Sequence, residues 1–213
     1  MLGLDHRGIL PALAAVAGLA LAPTALATSA PLSLAQLTDA SDYIVRATVG
    51  ETYVETDERG YHWTRVQLEV TAVVKGPADT DALQLDVMGG FLGDQGTLSW
   101  YSPRFDTGED VLVFAERLDS GLLVPTGLEQ GKLTVRIDPD NGREMLVQFK
   151  PSSPEKPYDH RFIPHPPVGK RVYLNDMVEL VKARMAAGWD GQPIPGKSPE
   201  RLLEMHPGAE VVR

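Results

Sequence analysis

The chain has 213 residues, no cysteine and a formal net charge of −9. Without cysteine it has no disulfides and no lipid-attachment thiol of the bacterial lipoprotein kind, so packing alone must hold it. The acidic balance argues against nucleic acid or anionic lipid as main partners, because phosphate binding needs a basic face.

The first segment reads as a secretory signal peptide over residues 1–27. Arg7 gives a basic start, an apolar run follows from Ile9 to Ala22, and Ala25-Leu26-Ala27 supplies an A-x-A cleavage pattern. Pro11 and Pro23 break the run, which is too short and alanine-rich for a membrane span. The expected mature chain begins at Thr28, still carries a charge of −9, and is periplasmic or secreted, with no membrane span once the signal is cleaved. About 185 residues then remain, enough for one domain with its own core.

Ser33-Leu34-Ala35-Gln36 has the form of a capping box, with Leu32 and Leu37 at the staple positions, and predicts a short helix over 34–40. The period then changes to two. Tyr43, Val45, Ala47 and Val49 alternate with Ile44, Arg46 and Thr48. After Asp57-Glu58-Arg59-Gly60, a long strand places Thr64, Val66, Leu68, Val70, Ala72 and Val74 on one face. Leu83, Leu85 and Val87 give a third strand, and Val111–Ala115 reads as a buried one. Leu122–Val124 is short and runs into Pro125. Leu133, Val135 and Ile137 alternate again, Asp138-Pro139-Asp140-Asn141-Gly142 turns the chain, and Met145, Val147 and Phe149 answer on the next strand.

Many short strands with no helices interleaved predict a mainly β fold, a small antiparallel OB-like barrel over 28–150. From Pro151 to Pro167 prolines preclude regular structure. A helix follows over about 176–187, capped by Asn175, with Met177, Val178, Val181 and Met185 facing a core. Ser198-Pro199-Glu200 opens a last short helix. Residues 151–213 thus read as a proline-rich arm and C-terminal helices packed on the barrel.

Three motifs point toward chemistry and fail on context. Gly191 to Ser198 matches the phosphate-loop pattern, but a helix precedes it, and Pro193 and Pro195 remove amide donors that such a loop needs. Asp138 to Gly142 lacks calcium-loop spacing and reads as a hairpin turn. Asp159, His160 and His165 could hold zinc in a metal-dependent hydrolase, but no regular element aims the two rings together. No nucleophile–base arrangement stands out, so the sequence predicts a non-catalytic protein without a cofactor.

The long loop from Gly89 to Asp110 carries Phe91, Trp100, Tyr101, Arg104 and Phe105, the composition of a binding hot spot. These five are the candidate binding residues. The alternative is that the aromatics plug one end of the core, as in a structural envelope-associated module.

Ser41 to Val49, followed by Val70-Thr71-Ala72-Val73-Val74-Lys75-Gly76-Pro77, resembles the first half of netrin-like domains, among them the tissue inhibitors of metalloproteinases. Gly108 to Phe114 resembles their next strand. The likeness covers about residues 40–140 and is shared with an exported, cysteine-free bacterial domain of unknown role. It implies an OB-type five-stranded barrel and binding to another exported protein, with a protease as one candidate partner. The animal inhibitors chelate the protease zinc through an N-terminal cysteine, which this chain lacks, so that chemistry and its residues do not carry over.

Overall fold

The computed structural model describes residues 31–97, 99, 101–148 and 171–210. The expected signal peptide, the proline-rich arm, Trp100, Phe149, Asp159, His160 and His165 lie outside them. Helix α1 (Leu34–Ala40) begins as the sequence predicts. Ser33 Oγ accepts from the Gln36 amide while Gln36 reaches back to the Ser33 amide at 3.0 Å.

The strands are β1 (Tyr43–Thr56), β2 (His62–Lys75), β3 (Ala82–Met88), β4 (Gly90–Leu92), β5 (Gln95–Thr97), β6 (Asp110–Arg117), β7 (Leu123–Pro125), β8 (Lys132–Ile137), β9 (Glu144–Val147) and β10 (Val172–Tyr173). Helices α2 (Leu174–Ala187) and α3 (Pro199–Met205) follow. The main sheet is antiparallel in the order β10-β9-β8-β6-β1-β2-β3, with β7 also on β6; β4 and β5 form a separate hairpin. A mainly β antiparallel fold is therefore the architecture.

β6 and the first half of β1, residues 43–49, supply apolar side chains to both faces of the sheet. Val45, Ala47, Val49, Val111, Val113 and Ala115 enter an inner core with Val66, Leu68, Leu85 and Leu123. Ile44, Leu112 and Phe114 enter an outer core with Leu37 of α1 and Leu174 and Val181 of α2. This is why β6 reads as an unbroken apolar run. Arg184 of α2 grips the buried Asp39 of α1 with a two-nitrogen fork, at 3.1 and 2.5 Å. α2 starts two residues earlier than the sequence suggests, and Met185 of its expected stripe is exposed.

The single face expected along β2 does not persist. The register slips at Thr71 and again at Val74 opposite β1. Each slip is a bulge that inserts one residue and reverses the alternation. Val66 and Leu68 stay in the inner core, Val70 and Val73 pack against it, Val74 turns to the outer core and Ala72 is exposed.

β7 and β8 lie end to end along one edge of β6, separated by Thr126 and a 3-10 turn at Leu128–Gly131. At Gly131 the chain passes close under β6; a Cβ there would lie 2.7 Å from the Phe114 carbonyl oxygen. The outer edge of β7 faces β3 without pairing to it, so the expected OB-like barrel does not appear as a closed one: the sheet is open, and β3, β7 and β10 each keep an unpaired edge. The reason is local. Thr126 N–H bonds the Phe114 carbonyl and Leu118 N–H bonds that of Leu122, so even-numbered residues of β7 turn to β6. Leu123 and Pro125 turn to β3. Pro125 has no N–H to give, and the Leu123 N–H goes to the buried Asp86 carboxylate at 2.8 Å. A side chain thus bridges the seam where a ladder would close it. Asp86 also pairs with Arg65.

Asp86→Ala leaves the Leu123 N–H and part of the Arg65 charge unpartnered. Urea unfolding is expected to show a loss of about 3 kcal/mol, since breaking one side of a buried pair costs 3–5 and Glu55 still holds Arg65 at 3.0 Å.

Candidate binding site

The loop from Gly89 to Asp110 divides its expected residues between surface and core. Gly89 and Gly90 turn the chain from β3 into the β4–β5 hairpin, whose Phe91 is 60% and Leu92 56% exposed. Phe91 pairs with Gly96 across the hairpin. Its ring covers that glycine so closely that a Cβ would fall 2.4 Å from it, so residue 96 has no room for a side chain. His62 of β2 hydrogen-bonds Thr97 of β5 through Nδ1 at 3.2 Å, tying the hairpin to the main sheet.

Tyr101 is 39% exposed, and its carbonyl accepts from the Glu129 N–H at 2.9 Å. Arg104 is exposed, and its carbonyl accepts from the Lys132 ammonium. Phe105 differs from the expectation of a surface aromatic. It is 9% exposed, lies in the inner core, and carries Lys132 Nζ 4.8 Å above its ring. Burial of an apolar ring is worth about 2–3 kcal/mol, so Phe105 anchors the loop. The core-plug reading therefore describes Phe105, whereas Phe91 and Tyr101 remain at the surface.

A feature that the sequence reading missed lies beside β7, where the open seam leaves a groove of about 480 Å³. Trp63, Val87, Met88, Pro103, Val124 and Leu128 form apolar wall. Trp63 is held by its indole N–H, which donates to Asp57 at 3.1 Å. That bond, with the Tyr61 and Arg59 amides, holds the Asp57 carboxyl below its ordinary range against the opposing effect of desolvation. Pro125 closing a three-residue strand was the one sequence sign of an edge here.

The segment with the phosphate-loop pattern forms the groove's other side at Pro195, Gly196 and Lys197. Lys197 pairs with Glu116 of β6, and Ser198 caps α3 by accepting from the Arg201 N–H at 3.2 Å. Neither is arranged as in a phosphate-binding loop. At the turn 138–142, Arg171 meets both oxygens of the Asp138 carboxylate, at 2.8 and 2.9 Å, and Tyr173 also donates to it. Among the described residues no group of three or more His, Asp or Glu side chains is placed to hold a metal ion. Among them, too, no helix is long and apolar enough to cross a membrane.

No known protein family and no curated protein matches this chain.

Glu129, beside the groove's Leu128, has a buried carboxylate oxygen, Oε2, that finds no hydrogen-bond partner among the described residues. Desolvation raises its pKa above the ordinary carboxylate range. The folded state therefore holds the proton more tightly than the unfolded chain, and stability falls as pH rises through that range. Glu129→Gln is expected to raise the melting temperature near neutral pH. The gain should shrink as pH falls and the native carboxyl becomes protonated, which thermal unfolding across the acid range would show.

Proposed function

We propose that this protein is an exported, non-catalytic binding module that engages another exported protein through its aromatic loop, with a protease as one candidate partner. The observation that carries this reading is the pair Phe91 and Leu92. They are large, exposed and adjacent, on a hairpin fixed to the sheet rather than on a free tail. Rigid apolar residues at a surface contribute more to association than mobile ones, because little side-chain freedom is lost on binding. Tyr101 supplies a further exposed ring from the same loop. The likeness of the strand sequences to netrin-like domains supports protein binding as the role.

The alternative, a structural envelope-associated module, draws support from the buried Phe105. It gives no reason for Phe91 and Leu92 to stand in solvent.

A pull-down from the periplasm and medium of the exporting cell, with residues 28–213 as bait, tests the reading. One specific protein should be recovered. Phe91→Ser with Leu92→Ser should weaken it at least tenfold, the effect of losing about 1.4 kcal/mol, while Tyr53→Ser, an exposed change on β1, leaves it intact. Equal recovery with all three folded baits would remove the hairpin as a site and favour the structural module.

A further inference from the structure

We infer that the groove beside β7 is a binding site for an uncharged, largely apolar organic molecule, separate from the protein-binding hairpin. Its volume, about 480 Å³, lies within the range of small-molecule sites.

The charges on its walls decide the class of ligand. Asp86 is the charged group on one side, and both of its oxygens are engaged, one by Arg65 and the other by the Leu123 N–H. Glu116 and Lys197 on the other side pair with each other, and both side chains are nearly buried. A charged ligand entering here would give up its hydration and, among the described residues of the walls, meet no free counter-charge. An uncharged apolar one releases water from the solvent-open Trp63, Met88, Val124 and Leu128 walls without that loss.

The backbone offers limited polar recognition. Gly89 N–H bonds the His62 carbonyl and Val70 N–H bonds that of Asp81, so odd-numbered residues of β3 turn to β2. The N–H and C=O of Met88 therefore turn toward the groove, as does the Pro125 carbonyl. One or two neutral hydrogen-bonding groups on the ligand would match them.

A separate observation marks the same place. Leu128, at the groove, has φ of 60°, and among the described residues no other non-glycine residue has a positive φ. A leucine resists this left-handed conformation. Here it places an apolar side chain, still partly open to solvent, on the wall of the groove. Strained residues of this kind cluster at ligand sites, where the surrounding structure holds them in place.

The test is a fluorescence titration of purified 28–213 with Nile red, a neutral apolar dye, beside the anionic dye anilinonaphthalene sulfonate. Nile red should bind saturably, one per chain, and at least tenfold more tightly than the anionic dye. Val124→Trp, which fills the groove, should weaken Nile red at least tenfold. Leu128→Gly relieves the backbone strain and so keeps the fold even if Val124→Trp does not. It should weaken the dye severalfold without lowering the melting temperature. Non-saturable uptake, equal affinity for the two dyes, or indifference to both folded variants would overturn the proposal. So would sedimentation showing a dimer that both variants dissolve, which would give the groove to a second copy of the chain.

Discussion

Pro125 and the Leu123–Asp86 bond govern the character of the whole molecule. The sheet brings β3 against the free edge of β7, and a ladder between them would close it. Such a ladder needs donors on both strands. β7 is only three residues long, and of its two residues facing β3 one is proline and the other has already given its N–H to a carboxylate. The edge is thereby made unreactive toward other strands as well, the usual service of proline and charge at a sheet edge. The remaining gap is floored by apolar side chains and becomes the groove.

The rest of the fold holds this seam in place. β1 and β6 serve two cores at once, the inner one between the halves of the coiled sheet and the outer one beneath α1 and α2. Bulges at Thr71 and Val74 let the end of β2 supply both. Charged clasps reinforce the arrangement from outside. Arg46 joins β1 to β6 and β9 through Asp110 and Glu144, and Arg184 joins α2 to α1. The aromatic loop leaves this frame between β3 and β6 and is pinned by the buried Phe105, so that Phe91 and Tyr101 extend from a rigid base.

Much of the fold was legible because local rules acted alone. The Ser33 capping box, the alternation in β1 and β3, the continuous apolar run of β6 and the turn around Asp138 each follow from short-range chemistry. What escaped depended on contacts far apart in sequence. The bulge at Thr71 is set by how β2 must coil around β1, and no residue type announces it. The division of the loop aromatics, with Phe105 inside and Phe91 outside, depends on the distance of each ring from Lys132 and the inner core. The groove escaped for the same reason: its walls come from β2, β3, β7, the 3-10 turn and the approach to α3, which only the folded chain brings together. Pro125 was visible as a strand terminator, but its effect required knowing that β3 lies opposite.

Amide hydrogen exchange along β3, read by NMR, tests the open seam most directly. Leu85 and Val87 turn their N–H groups to β2, whereas those of Gln84 and Met88 face away from it. An open edge predicts slow exchange at Leu85 and Val87 and fast exchange at Gln84 and Met88. Comparable protection at all four would mean that β3 is paired on both sides, that the sheet closes into a barrel, and that the groove is absent.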